Sequence, residues 1–331
     1  MQSIVGHRPE NQEKGNDMTA QAFYRHRLPQ LGTNLFITDA GLETTLIFQE
    51  KIDLPYFASF TLLATEDGRE VLKRYFHTYA RMAREYRVGL VLESVTWRAN
   101  PDWGARLGLG RAELKQVNRQ AIHMLEAVRA EFETPATPIV ISGNLGPRGD
   151  GYQAGKRMTM EEAALYHGPQ VEDFVGTAAD MVAAFTMNYV EEAAGVVLAA
   201  QRAGMPVAIS FTVETDGRLP SGESLREAIE AVDSATNGYA AYFMLNCAHP
   251  THFQNTLQES GAWIKRLRGI RANASCKSHK ELDESTELDS GDPADLGQRY
   301  RDLKPVLDLS VVGGCCGTDH RHVEAICRSL R

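Results

Sequence analysis

Eight short apolar runs recur along this chain, and longer amphipathic stretches separate many of them. The runs are LFITDA (35–40), GLVLES (89–94), PIVISGN (138–144), MVAAFT (181–186), PVAISFT (206–212), YFMLNC (242–247), GIRANA (269–274) and LSVVGG (309–314). Each is bounded by glycine, proline or polar turn residues, and most are rich in β-branched side chains, which is the pattern of strands. Their near-continuous apolarity suits a sheet buried on both faces. GREVLKRYFHTYARMAREYR, RAELKQVNRQAIHMLEAVRAEF and VEEAAGVVLAAQRAG repeat apolar residues every three to four positions, as helices do. The last of these stops at Gly204, and GESLREAIEAVDS opens with Ser224 ahead of a Glu-rich turn. Strands alternating with helices predict an α/β fold, and a count of eight favours a single-domain (β/α)8 TIM barrel over a doubly wound sheet. No GxGxxG follows the first strand and no P-loop is present, which argues further against the open sheet. The expected boundaries are a polar arm over 1–34 and the barrel over 35–331. The apolar-poor stretch 274–298 reads as a long loop above the seventh strand.

Composition narrows the function classes. A net charge of −8 is the wrong sign for a phosphate-binding surface, so no nucleic-acid partner is expected. No apolar run approaches the roughly 18 residues that span a bilayer, so no membrane partner is expected either. The first residues, MQSIVGHRPENQEKGNDM, carry no apolar signal core. Five cysteines are too few, and odd in number, for a disulfide scaffold. A reducing cytoplasm, with thiols kept for metal or catalysis, fits them better. A homo-oligomer is compatible with all of this, and the sequence does not specify one.

In a parallel barrel, chemistry gathers at the C-terminal ends of the strands. The eight expected ends are Asp39, Glu93, Asn144, Thr186, Thr212, Cys247, Asn273 and the pair Cys315–Cys316. Strand ends are commonly polar, so the thiols carry more weight than the rest. Cys247 closes the sixth run and Cys315–Cys316 the eighth, while Cys276 falls in the polar loop and Cys327 in the last helix. Three thiolates at one mouth suit a zinc ion whose fourth position stays open. Neighbouring residues of a regular strand face opposite ways. Gly313, Gly314 and Gly317 are therefore expected to let Cys315 and Cys316 converge. Read alone, Cys247 also suits a small buried hydrophobe, and Cys315–Cys316 a packing or redox pair. His249, His252 and His320 lie nearby in sequence and are not needed as ligands. Asp39 on its own also suits a helix cap.

TDAGLETTL, ESVTWRAN, SGNLGPRGDGY, SFTVETDGRLPSGESL, LNCAHP and VVGGCCGT stand in an order and spacing that resembles the homocysteine S-methyltransferase family, over about 35–330. The resemblance implies a (β/α)8 barrel with Zn2+ on Cys247, Cys315 and Cys316. It implies transfer of a methyl group from a small onium donor to the zinc-bound thiolate of homocysteine or a related small thiol, in a methionine-forming reaction. Asp39, Glu93, Arg98, Asn144, Phe185, Thr212 and Asn246 are the residues expected to meet the substrates. Two positions depart from the family pattern. Phe185 stands where the family carries a glutamate that holds the amino group of homocysteine, and Arg98 stands where a Gln or Tyr is common. Losing a carboxylate and gaining a guanidinium favours an acceptor without the α-amino group, or with an extra acidic group, unless Asp39 or Glu93 compensates. A zinc hydrolase on the same barrel, or a non-catalytic thiol- or metal-binding protein, are the alternatives at this point.

Overall fold

The computed structural model describes residues 21–285 and 287–331; the first 20 residues of the expected arm lie outside it. Eight parallel strands close into a barrel in sequence order: β1 Phe36–Ile37, β2 Gly89–Glu93, β3 Ile139–Leu145, β4 Met181–Met187, β5 Val207–Phe211, β6 Tyr242–Asn246, β7 Leu267–Ala272 and β8 Val311–Gly314. Closure is made by β1 against β8, with Phe36 beside Val311 and Ile37 beside Val312. The seven long helices among the described residues are α1 Glu66–Tyr86, α2 Arg111–Phe132, α3 Met160–Val175, α4 Val190–Ala203, α5 Leu225–Thr236, α6 Pro293–Leu303 and α7 His320–Leu330. Only short turns of helix follow β6, at Pro250–Phe253, Thr256–Gln258 and Ala262–Arg266.

Local signals place the helices. Thr159 and Ser224 each accept a backbone N–H at the start of α3 and α5, and Glu162 and Glu227 return the bond, so both helices open on a capping box. Gly204 ends α4 in the left-handed region at φ 65°. Two readings need correction. α3 is absent from the amphipathic repeats expected from the sequence, and it carries Pro169 in its interior. The stretch 274–298 is not one loop: it holds the turn His279–Asp283 and the start of α6 at Pro293.

Strand alternation sorts the core into two. Leu90, Leu92, Ile139 and Ile141 face the helices in the outer core. Val91, Val140, Met181, Ala183, Phe185, Ala208, Tyr242, Met244 and Val311 fill the barrel interior with Phe36. Leu28 and Tyr24, from the segment preceding β1, pack against this inner core and close the bottom. Asp180 anchors that segment, accepting the backbone N–H of Phe23 and of Tyr24 at 2.7 Å each and pairing with Arg129 at 2.9 Å. The opposite end of the barrel is thereby left as the open mouth.

Candidate metal centre

The three thiols at the mouth converge. The sulfurs of Cys247, Cys315 and Cys316 lie within 4.8 Å of one another, and Cys247 Sγ is 3.9 Å from Cys316 Sγ. Sulfurs about 2.3 Å from one zinc ion in a tetrahedron stand about 3.8 Å apart, so the cluster fits that ion. Cys276 and Cys327 take no part. The first is exposed, and the second is buried in the outer core.

The backbone explains how distant thiols meet. Cys247 leaves β6 in the left-handed region, at φ 54°, with its N–H on the Arg271 carbonyl. Cys315 follows β8 with its N–H on Ala272 O at 2.8 Å, and the Cys316 carbonyl accepts from Ala274 N at 3.0 Å. The β7 chain therefore clamps both thiol segments. Gly317 turns the chain at φ 78°. Gly313 and Gly314 serve differently from expectation: both lie within β8, and what they supply is room. A Cβ on Gly313 would sit 1.9 Å from Thr38 Oγ1, and one on Gly314 would sit 2.1 Å from Thr318 Oγ1.

Hydrogen bonds from Cys315 and Cys316 hold the Cys247 thiol well below its ordinary value. Sharing with Cys247 pushes the other two up, Cys315 to about 12. A bound dication takes coordinating thiols as thiolates. Asn246 donates to Cys247 Sγ at 3.2 Å and to Thr186 Oγ1 at 2.9 Å. Its Oδ1 accepts the Ser210 hydroxyl and the Thr186 N–H, so the amide that orients Cys247 is itself held fast.

The family model for homocysteine S-methyltransferase matches residues 36–330. The chain belongs to the homocysteine S-methyltransferase family. It is a methyltransferase, as that family and its curated relatives are. Homocysteine S-methyltransferase 1 of Arabidopsis thaliana is 23% identical over 319 residues, covering 89% of this chain and 93% of the relative. Homocysteine S-methyltransferase 4 of Zea mays is 22% identical over 264 residues, covering 73% and 75%. The metallated form of the Escherichia coli homocysteine methyltransferase MmuM shares the fold, with a TM-score of 0.66 at 18% identity over 90% of this chain and 96% of that one.

Around the thiols of this homocysteine S-methyltransferase family member, the expected substrate residues divide. Glu93, Asn144 and Asn246 stand two or four residues from interior residues of their strands, Phe185 is itself interior, and Thr212 continues the same phase just past β5, so all five share the inner face. Asp39 is buried just beyond β1 and tied up: Arg271 Nη2 reaches its Oδ1 at 2.7 Å, and the Tyr75 hydroxyl donates to its Oδ2 at 3.0 Å. Arg98 lies between two rings, 4.0 Å from the centroids of both Trp97 and Trp103, and donates to Gly149 O at 3.1 Å. Burial lowers its guanidinium to about 10. It pins the loop after β3.

Of the histidines near the cysteines in sequence, His249 is buried and caps the turn at Pro250, and His320 is exposed at the head of α7. Sequence reasoning passed over three residues. Arg271 is the first, although a charged side chain on the inner face of a buried strand was a visible signal. Its Nε and Nη2 donate to Gly314 O and Ala40 O, and its plane lies 5.1 Å from the Phe185 ring centroid. Tyr152, inside the quoted GDGY, brings its hydroxyl to 3.7 Å from Cys316 Sγ. His279 stacks on the Tyr152 ring at 4.0 Å and reaches the Cys247 carbonyl through Nε2. It carried no sequence signal, because it lies in the stretch that reads as loop.

Proposed function

We propose that this chain holds one zinc ion on Cys247, Cys315 and Cys316 and moves a methyl group from a small onium donor to the thiol of homocysteine. The observation that carries the reading is the meeting of three sulfurs from two distant strand ends at the mouth of the barrel. The relatives named for this activity, and the metallated form of MmuM, support it. When bound, zinc supplies the Lewis acidity that makes an acceptor thiol a thiolate at neutral pH.

The remaining work falls to this chain's own residues. Asn246 sets the direction of Cys247, and the β7 clamp sets Cys315 and Cys316. Tyr152, against His279, lies over one side of Cys316, whose thiol is otherwise exposed at the mouth. Three thiolates around a dication leave one net negative charge at the mouth, which draws in a cationic donor. The acceptor sulfur forms a new S–CH3 bond as the donor's C–S or C–N bond breaks. The electron pair leaves on the donor, which departs as a neutral sulfide or amine. Alignment of sulfur, methyl and leaving atom is the chain's main contribution to rate.

The test is methyl transfer by the zinc-loaded protein to homocysteine, from S-methylmethionine, betaine and S-adenosylmethionine in parallel. Wild type is expected to bind about one zinc per chain and to use one of these donors. Cys247→Ala, Cys315→Ala and Cys316→Ala lose zinc and activity, whereas Cys276→Ala keeps both. Full zinc content in Cys247→Ala, measured by elemental analysis, refutes the three-thiolate site.

A further inference from the structure

Taking methyl transfer to a thiol at the three cysteines as given, one buried carboxylate at the mouth remains without a partner. Glu93 ends β2 on the interior face, two residues beyond Val91, and is 5% exposed. Its Oε2 is sealed from solvent and accepts no hydrogen bond, and the Ser142 hydroxyl beside it on β3 is the one neutral group that favours its charged form. A carboxylate buried in this way is costly unless a cation or a set of donors meets it. The cation whose charge bears on it is Arg271. That guanidinium is already committed to Asp39 Oδ1, Gly314 O and Ala40 O, with the Phe185 ring against its plane.

The other carboxylates are engaged. Asp39 is held by Arg271 and Tyr75. Glu43, at the rim, accepts the Ser59 hydroxyl at 3.0 Å. A further unpartnered buried oxygen, Thr212 Oγ1, lies just past β5. An ammonium brings three N–H donors and a positive charge, which answers such a lining. Arg271 is paired and offers a carboxylate no free fork, whereas Arg98, stacked between Trp97 and Trp103 with Nη1 on Gly149 O, keeps its Nε unpartnered and open to the α-carboxylate of the same acceptor.

We infer that Glu93 is the receptor for the α-ammonium group of the acceptor, and so the residue that makes this site select an amino-acid thiol. It takes the place left by the apolar ring of Phe185, which serves instead as a lid on Arg271. The structure therefore argues against the deaminated acceptor that Phe185 and Arg98 suggest in the sequence. Titration supports the assignment. Burial lifts the Glu93 carboxyl to about 7 against the pull of Arg271, so the charged form that an ammonium needs grows as pH rises through neutrality. The charged and titratable groups facing it are Arg271 on β7, Asp39 beyond β1 and Tyr242 on β6.

Calorimetric binding of homocysteine and of 4-mercaptobutyrate to the zinc-loaded full chain, without donor, tests this. The ratio of their affinities, compared between wild type and Glu93→Gln, cancels the difference in thiol acidity and isolates the contact to the amino group. Wild type is expected to favour homocysteine by at least about tenfold, and Glu93→Gln to lose about ten- to a hundredfold on homocysteine alone. The ratio should rise with pH through about 7 in wild type and stay flat in Glu93→Gln. Unchanged zinc content and melting temperature in Glu93→Gln show that it folds, and Glu93→Asp should recover part of the preference. Equal affinities in wild type, equal loss of both thiols in Glu93→Gln, or a preference abolished by Glu43→Gln instead, each overturns the assignment. Failure of wild type to bind either thiol overturns the methyl-transfer reading itself, and this one with it.

Discussion

Glu93 shows how one residue couples stability to chemistry. The unfolded chain ionises this carboxyl at its ordinary value of 4.5, and burial in the barrel raises it to about 7. Between those values the folded form binds the extra proton. Stability from this group is therefore present in full below about 4.5 and is lost as pH rises through about 7. The loss above neutrality amounts to about 3 kcal/mol. Glu93→Gln has no such loss, so its stability relative to wild type should climb between pH 5 and 8 in urea titrations of the zinc-loaded protein without acceptor. A difference independent of pH would mean that Glu93 is already neutralised by a partner. Homocysteine should shrink the climb by supplying the missing cation.

At the scale of elements, the thiol centre depends on how closely β8 lies against the segment beyond β1. Gly313 makes that approach possible, because a side chain there meets Thr38 Oγ1 at 1.9 Å and the Asp39 carbonyl at 2.8 Å. Gly313→Ala should cost about 2–4 kcal/mol, within the range of the larger single-site effects, and release zinc, since Cys315 and the Asp39–Arg271 pair shift with the strand. Gly204→Ala is the comparison: its φ is 65° but nothing lies within 4 Å of a new Cβ. It should cost only about 1 kcal/mol and leave zinc in place. Thermal melts with metal analysis on the two variants separate crowding at the site from strain at a helix end. Equal losses would deny β8 its special role.

For the whole molecule, the two ends of the barrel do separate work. The mouth holds the three clustered thiols, and the bottom is sealed by the segment around Tyr24 and Leu28 through Asp180. Asp180 also accepts the Ile141 N–H at 2.9 Å, so it ties the segment, Arg129 and β3 together. Asp180→Asn breaks a buried ion pair and should destabilise the fold by about 3 kcal/mol. Zinc content and the homocysteine preference should be unchanged, because the substitution lies at the far end. A matching loss of zinc would show that the bottom seal and the mouth are one cooperative unit.

The sequence by itself determined the barrel and the identity of the three thiols. Both follow from local patterns: apolar runs at the spacing of strands, amphipathic helices between them, and cysteines where strands six and eight stop. Packing could only realise those patterns. The segment before β1 reads as a polar arm, and its residues from Phe23 onward act as a seal only because Asp180 meets them across the fold. The same holds for charge at the mouth. Asp39, Glu93, Arg98 and Arg271 are all legible as ionisable residues, but their states are set by which neighbours tertiary structure brings to them. Asp39 meets Arg271, Arg98 meets two tryptophans, and Glu93 Oε2 is left without a hydrogen bond. Electrostatic pairing depends on distance in space and on exclusion of water, and neither is written in the spacing of residues along the chain.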